Sequence, residues 1–226
     1  MLDVFEYKTR HKLAVAAGRK IADANFAVCN EKEADVVFGQ LLLPLLGAVD
    51  GQPKDAHTSG AFAEEQVVVA RVVSLVQGGD LDTQAQILAG LKKQLLDGGA
   101  QRMKHTVPSL VFKLLQLAQG YHAAQAEDDM WEKKCGKLYS LVRQVVIALA
   151  EADYPILAIK LFLQAALVAS STPFAKSETI AYEYCSQVCT CVPACACVSV
   201  CLCLCLCACV CVCVSVSVSV CLCVCV

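Results

Sequence analysis

Up to Gln187 the apolar residues recur at steps of three and four, the spacing that gathers side chains on one face of an α-helix. The clearest case is DDMWEKKCGKLYSLVRQVVIALAEA. Here Trp131, Cys135, Leu138, Val142, Val145 and Leu149 form one stripe, while Glu132, Lys133, Lys137 and Arg143 occupy other faces. The stripe predicts a core-facing helix with a solvated back: Trp131, Leu138, Val142 and Leu149 buried, Lys133 and Lys137 exposed. In HTVPSLVFKLLQLAQGYHAAQ, Thr106 is placed to cap a helix whose first turn holds Pro108, and Leu110, Leu114, Leu117 and Tyr121 face inward. YPILAIKLFLQAALVAS is apolar nearly all round, with Lys160 and Gln164 its strongly polar members, so it is expected to be covered on more than one side. SETIAYEYCSQ opens a further helix with a capping box, Ser177 with Glu178 or Thr179 with Glu183.

Upstream, residues 9–26 and 31–49 read as two helices, the second interrupted at Pro44, which cannot donate to the helical ladder. Residues 50–60, DGQPKDAHTSG, read as a loop. AEEQVVVARVVSLVQGG places Val69, Val72, Val73 and Val76 at helical spacing; valine also suits strands, but the spacing favours helix, with Gly78 and Gly79 to end it. DLDTQAQILAGLKKQLLDGG repeats the layout with Ile87, Leu88, Leu91 and Leu95, ended by Gly98 and Gly99. Seven or eight amphipathic helices with short connections predict an all-α fold of antiparallel pairs. Pattern alone leaves a closed bundle and an α-solenoid both open, and the wide apolar faces of internal helices lean toward stacked pairs.

Composition divides the chain in two. Every charged residue lies at or before Glu183, and 14 of the 17 cysteines fall in residues 188–226, mostly at every second position. The chain is therefore read as a helical part, 1–187, and a low-complexity Cys/Val/Leu/Ser tail, 188–226, expected to be unstructured or strand-like. As protein, the tail has the period of a strand but is apolar on both faces. A metal or thiol module would need cations to compensate its thiolates, and there are none; a membrane anchor would be long enough, yet Val, Cys and Ser are poor helix formers and no basic or aromatic flank sets an interface. As nucleotides, TGT-GTG repeats with single-base variants encode the Cys-Val, Cys-Leu, Ser-Val and Cys-Ala steps, so a translated noncoding repeat is the favoured reading.

Charge and motifs narrow the function by exclusion. The 19 basic and 21 acidic residues give no electrostatic reason to expect nucleic acid. Cys29, Cys135 and Cys185 are widely spaced and fit a reducing compartment, and the N-terminus lacks the apolar run of a secretory signal, so a cytosol-like location is expected. Residues 1–187 hold no phosphate loop, nucleophile elbow, H-E-x-x-H or C-x-x-C. His11, His57, His105 and His122 are scattered and read as surface or loop histidines. Glu64 with Glu65 and Asp128 with Asp129 resemble acid pairs but stand at helix starts, where the dipole favours them. Trp131 to Lys134 offers a partner site or, more plainly, a tryptophan on a core stripe. No catalytic, cofactor or metal residue is assigned, no cofactor is expected, and the partner-binding residues stay unknown.

HTVPSLVFKLLQLAQGY, DDMWEKKCGKLYSLVRQVVIAL, AIKLFLQAALVA and SETIAYEYCSQ, in this order and spacing, resemble the large scaffold subunit of the retromer coat, the vacuolar protein sorting-associated protein thirty-five family. Pro108 to Phe112 and Trp131 to Cys135 carry most of the likeness, which extends more weakly upstream over residues 1–187. The resemblance implies a HEAT-like α-solenoid of stacked antiparallel helix pairs without catalytic activity. It implies a scaffold in endosome-to-Golgi retrograde transport and cargo recycling, peripheral on the cytosolic face of the endosome membrane. In that family the N-terminal part binds an arrestin-fold subunit and the C-terminal part wraps a phosphoesterase-fold subunit. The likeness falls on an internal piece from the C-terminal half, so a truncated and nonfunctional scaffold fragment is one expectation. The other is a helical domain whose cysteine-rich tail acts as a membrane anchor or metal module.

Overall fold

The computed structural model describes residues 5–53, 56–58 and 60–191; the tail beyond Cys191, and residues 54, 55 and 59 of the predicted loop, lie outside the described residues. These form an all-α chain: α1 (Tyr7–Asp23), α2 (Glu31–Ala34), a π-helical stretch (Asp35–Leu41), α3 (Leu43–Leu46), α4 (Phe62–Ser74), α5 (Leu81–Asp97), α6 (Ala100–Ala123), α7 (Trp131–Glu151), α8 (Pro155–Ser171) and α9 (Ser177–Cys191). The helices form packed pairs of the α-solenoid class. They fall into two units, Met1–Gly120 and Tyr121–Val226.

In the first unit α1 turns its small residues, Ala14, Gly18 and Ala22, inward. At Gly18 an added Cβ would lie 3.0 Å from a Val68 methyl and 3.1 Å from Leu42, so glycine here permits the close approach of α1 and α4. The predicted second helix is interrupted earlier than Pro44: from Asp35 the chain widens to π spacing, with Leu42 N–H donating to Val37 C=O at 2.9 Å. A proline ring clashes with the carbonyl four residues back in an α-helix; the wider turn lets the chain restart at Leu43, with Pro44 in the first turn of α3.

The valine run settles as helix. Val69, Val72 and Val73 are buried on α4. Val76, also buried, lies past the helix end in a short parallel bridge with Val28, whose N–H donates to Leu75 C=O at 3.1 Å. Gly78 then turns the chain at φ +63°, where an added Cβ would sit 2.6 Å from Gln84 Cβ and 2.7 Å from Asp80 C=O. Asp80 caps α5, accepting from Thr83 N–H and Oγ1, each at 2.7 Å, and these hydrogen bonds hold its carboxyl below the usual range. Ile87, Leu88, Leu91 and Leu95 are buried as predicted.

The predicted start of α6 is corrected. The helix begins at Ala100, so neither Thr106 nor Pro108 stands at its N-terminus. Thr106 is buried mid-helix and donates its hydroxyl back to Arg102 C=O at 3.1 Å, and Pro108 lies inside the helix. The added turn carries Arg102, whose Nε donates to Leu45 C=O at 3.0 Å and Nη1 to Gly98 C=O at 2.8 Å, with the guanidinium 5.8 Å from the Phe62 ring centre. One side chain thus ties the ends of α3 and α5 to the start of α4. Arg102→Met, which keeps the apolar stem but loses the donors, is expected to cost about 2 kcal/mol and to lower Tm by roughly 4–8 °C. An unchanged melting curve would count against the clamp.

In the second unit α8 packs against both α7 and α9, as its nearly all-apolar sequence predicts, and buries Ala158, Ile159, Leu161, Phe162, Ala165, Ala166 and Ala169. Small residues alternating with Ile, Leu and Phe let both neighbours approach closely. On α7 Leu138, Val142 and Leu149 are buried, with Lys133 and Lys137 exposed, but Trp131 is only half-buried. A period locates a face; it does not say at which turn the helix end leaves the core. Ser177 does not form the expected box: its hydroxyl turns back to Phe174, donating to the C=O at 3.0 Å, at the first residue of α9. The helix continues through the fully buried Val188 to Cys191.

Candidate partner-binding surface

Trp131 begins α7 between His122 and Phe174, edge-on to both, with ring centres 5.4 and 6.0 Å away. Glu132 accepts from the Ala175 N–H at 3.4 Å. Lys134 pairs with Asp128 at 2.8 Å and lies 5.3 Å from the centre of the Tyr121 ring. Three of the four residues in this candidate partner site therefore fasten the start of α7 to its surroundings; Trp131 and Lys134 are partly buried, and Glu132 and Lys133 are exposed.

The remaining candidates take separate packing roles. His11 and Glu65 meet at 3.0 Å, partly buried, beside Tyr7, whose hydroxyl burial and then Glu65 push up in pKa. Glu64 is exposed in the first turn of α4. His105 stands edge-on to Phe62, and burial, then Lys104, lowers its pKa, disfavouring the charged imidazolium. His57 is exposed. Asp128 accepts from the Met130 N–H at 2.9 Å just ahead of α7, while Asp129 is exposed. Burial pushes the Cys135 thiol up to about 11, far from thiolate chemistry at neutral pH. The described residues contain no group of three side chains able to hold a metal, and no helix among them is long and apolar enough to cross a membrane.

What α8 offers to solvent is a stripe rather than a pocket. Ile156, Lys160, Gln164 and Leu167 fall on one face, all exposed, with Ile156 at 53 %. Sequence reasoning marked Lys160 and Gln164 but missed the two apolar members. Their only signal is position, one helical turn beyond each end of the polar pair. A mixed apolar and polar helix face of this kind can bind a protein surface and offers no means of activating a small substrate.

Packed helix pairs presenting such faces define a fold of the α-solenoid class. The family model described as Vacuolar protein sorting-associated protein 35 matches residues 1–197, and the chain belongs to that family. It is 26 % identical over 186 residues to Vacuolar protein sorting-associated protein 35C of Arabidopsis thaliana, covering 81 % of this chain and 23 % of that one. Against 35B of the same plant the identity is 25 % over 189 residues, and against 35A 26 % over 191 residues; each alignment covers 83 % of this chain. The chain thus spans about a quarter of the length of these relatives, 23 % for 35B and 24 % for 35A.

Proposed function

We propose that the helical part of this chain is a noncatalytic stretch of scaffold in a retromer-like coat serving endosome-to-Golgi retrograde transport and cargo recycling. The observation that carries this reading is the family match over residues 1–197, which coincides with the run of packed helix pairs. On this reading the chain associates with endosome membranes peripherally, through a complex with phosphoesterase-fold and arrestin-fold subunits. The expected contact is with the phosphoesterase-fold subunit, along exposed helix faces such as the α8 stripe.

A specific interface buries about 800 Å² on each partner. The α8 stripe, four exposed residues on one helix face, supplies only part of such a surface. Titrating a purified phosphoesterase-fold coat subunit into the chain is expected to give saturable but weak binding, with Kd of roughly 1–100 μM. Ile156→Asp with Leu167→Asp is expected to weaken it at least tenfold. No binding at several hundred μM would remove the coat reading, and nanomolar binding would show that the contact surface is complete within this chain.

A further inference from the structure

A groove of about 280 Å³ lies between the α2–π segment and α5. Its apolar floor includes Phe38 and Ile87, both buried, and Gly90 leaves a gap in one wall: an added Cβ there would meet nothing within 4 Å. Glu31 and Asp35 stand on its rim. Four residues apart at the junction of α2 and the π turn, they are side-by-side like charges, an arrangement that disfavours the helix in isolation. Both are exposed, neither has an ion-pair partner among the described residues, and no Lys, Arg or His lines the groove. The groove therefore presents two carboxylates above an apolar floor. The volume is at the lower edge of pockets for small molecules, about 300–1,000 Å³, and suits a side chain better than a free metabolite.

We infer that this groove docks an arginine side chain carried on a partner polypeptide. The guanidinium supplies five donors in a planar fork and can meet both carboxylates together. Its three-carbon stem covers Phe38 and Ile87 while the charged head stays at the rim. A π turn in the wall is consistent with this, since such turns recur at functional sites. The inference goes beyond the coat reading and is tested without any coat subunit, so either can fail alone.

The probe is a capped, fluorescein-labelled octapeptide with a single arginine flanked by leucines; the control replaces arginine by citrulline, its uncharged near-isostere. Anisotropy titrations of the full chain are expected to show the arginine peptide binding at least about tenfold tighter than the citrulline peptide. Raising salt from about 50 to about 500 mM is expected to weaken it several-fold, because the rim charges are exposed. Gly90→Leu fills the gap and is expected to weaken binding at least about tenfold, with the melting temperature unchanged or raised, since leucine favours helix more than glycine does. Glu31→Gln with Asp35→Asn is expected to abolish the difference between the two peptides. Equal affinities for the two peptides, undiminished binding by the folded Gly90→Leu chain, or no saturable binding up to about 1 mM would each overturn the inference.

Discussion

Tyr184→Ala is expected to destabilise the second helical unit by about 3–5 kcal/mol, the range for removing a large, fully buried aromatic side chain. Tyr184, on α9, is 1 % exposed, and its hydroxyl donates to Tyr139 C=O on α7 at 2.6 Å. Its ring lies 6.3 Å from that of Tyr139 and 5.8 Å from that of Phe162 on α8, so one residue joins all three helices. Tyr139 is held in turn, bonding Thr172 Oγ1 at 2.7 Å and stacking on Phe174 at 6.0 Å. Alanine would remove the ring from both contacts and leave a cavity that helices fixed by short connections cannot close. Amide exchange across α7–α9 should then speed up by about two to four orders of magnitude, the same free energy read as local opening. Tyr184→Phe, which keeps the ring, is expected to cost about 1 kcal/mol. Equal effects of the two substitutions would place the stabilisation in the hydroxyl and refute the packing account.

How far the sequence reveals this fold depends on how local the deciding interaction is. The end of α5 was legible because Gly98 and Gly99 mark it; its start, fixed by Asp80 three residues from its partner Thr83, is as local but was not read. The stripe on α7 was legible because burial there follows the helical period over about four turns, from Cys135 to Leu149. The start of α6 was not: Thr106 and Pro108 imitate an N-terminus, and what extends the helix back to Ala100 includes the bond from Arg102 to Leu45, 57 residues away. The end of α1 at Asp23, three residues short of the expected 26, follows from Asn25 at φ 49°, a left-handed stop that asparagine tolerates. The π turn and the Val28–Val76 bridge have no periodic signature. For the candidate surface, sequence supplied polar landmarks on α8, but the half-burial of Trp131 and the binding of Lys134 to Asp128 needed the neighbouring helix ends in place.

Alkaline pH is expected to unfold this protein steeply, and the sign follows from three buried acids. Burial, then Glu132, pushes Cys135 up to about 11 from 9.0. Burial pushes Tyr139 up to about 12 from 10.0 against the opposing hydrogen bond to Thr172, and it raises Tyr184 further still, with Tyr139 adding to the shift. Each group is neutral when protonated, so the folded chain keeps its proton at pH values where the unfolded chain has released it. The unfolded state then binds fewer protons, and stability falls as pH rises, at up to about 1.4 kcal/mol per pH unit for each group. Below about pH 9 these groups contribute their full stability. The loss begins there with Cys135, grows above about pH 10 as tyrosines of the unfolded chain ionise, and for Cys135 and Tyr139 levels off once their folded values are passed. Between about pH 10 and 11 the three together should remove about 2–4 kcal/mol. Urea midpoints measured from pH 7 to 11, with tyrosinate absorbance followed in parallel, test this. A Cys135→Ala chain should retain the tyrosine-dependent fall above about pH 10 but lose the earlier onset. Stability constant across that window, or Tyr139 and Tyr184 ionising while the helices stay folded, would show that the tyrosine hydroxyls reach water and that the core between α7, α8 and α9 is open.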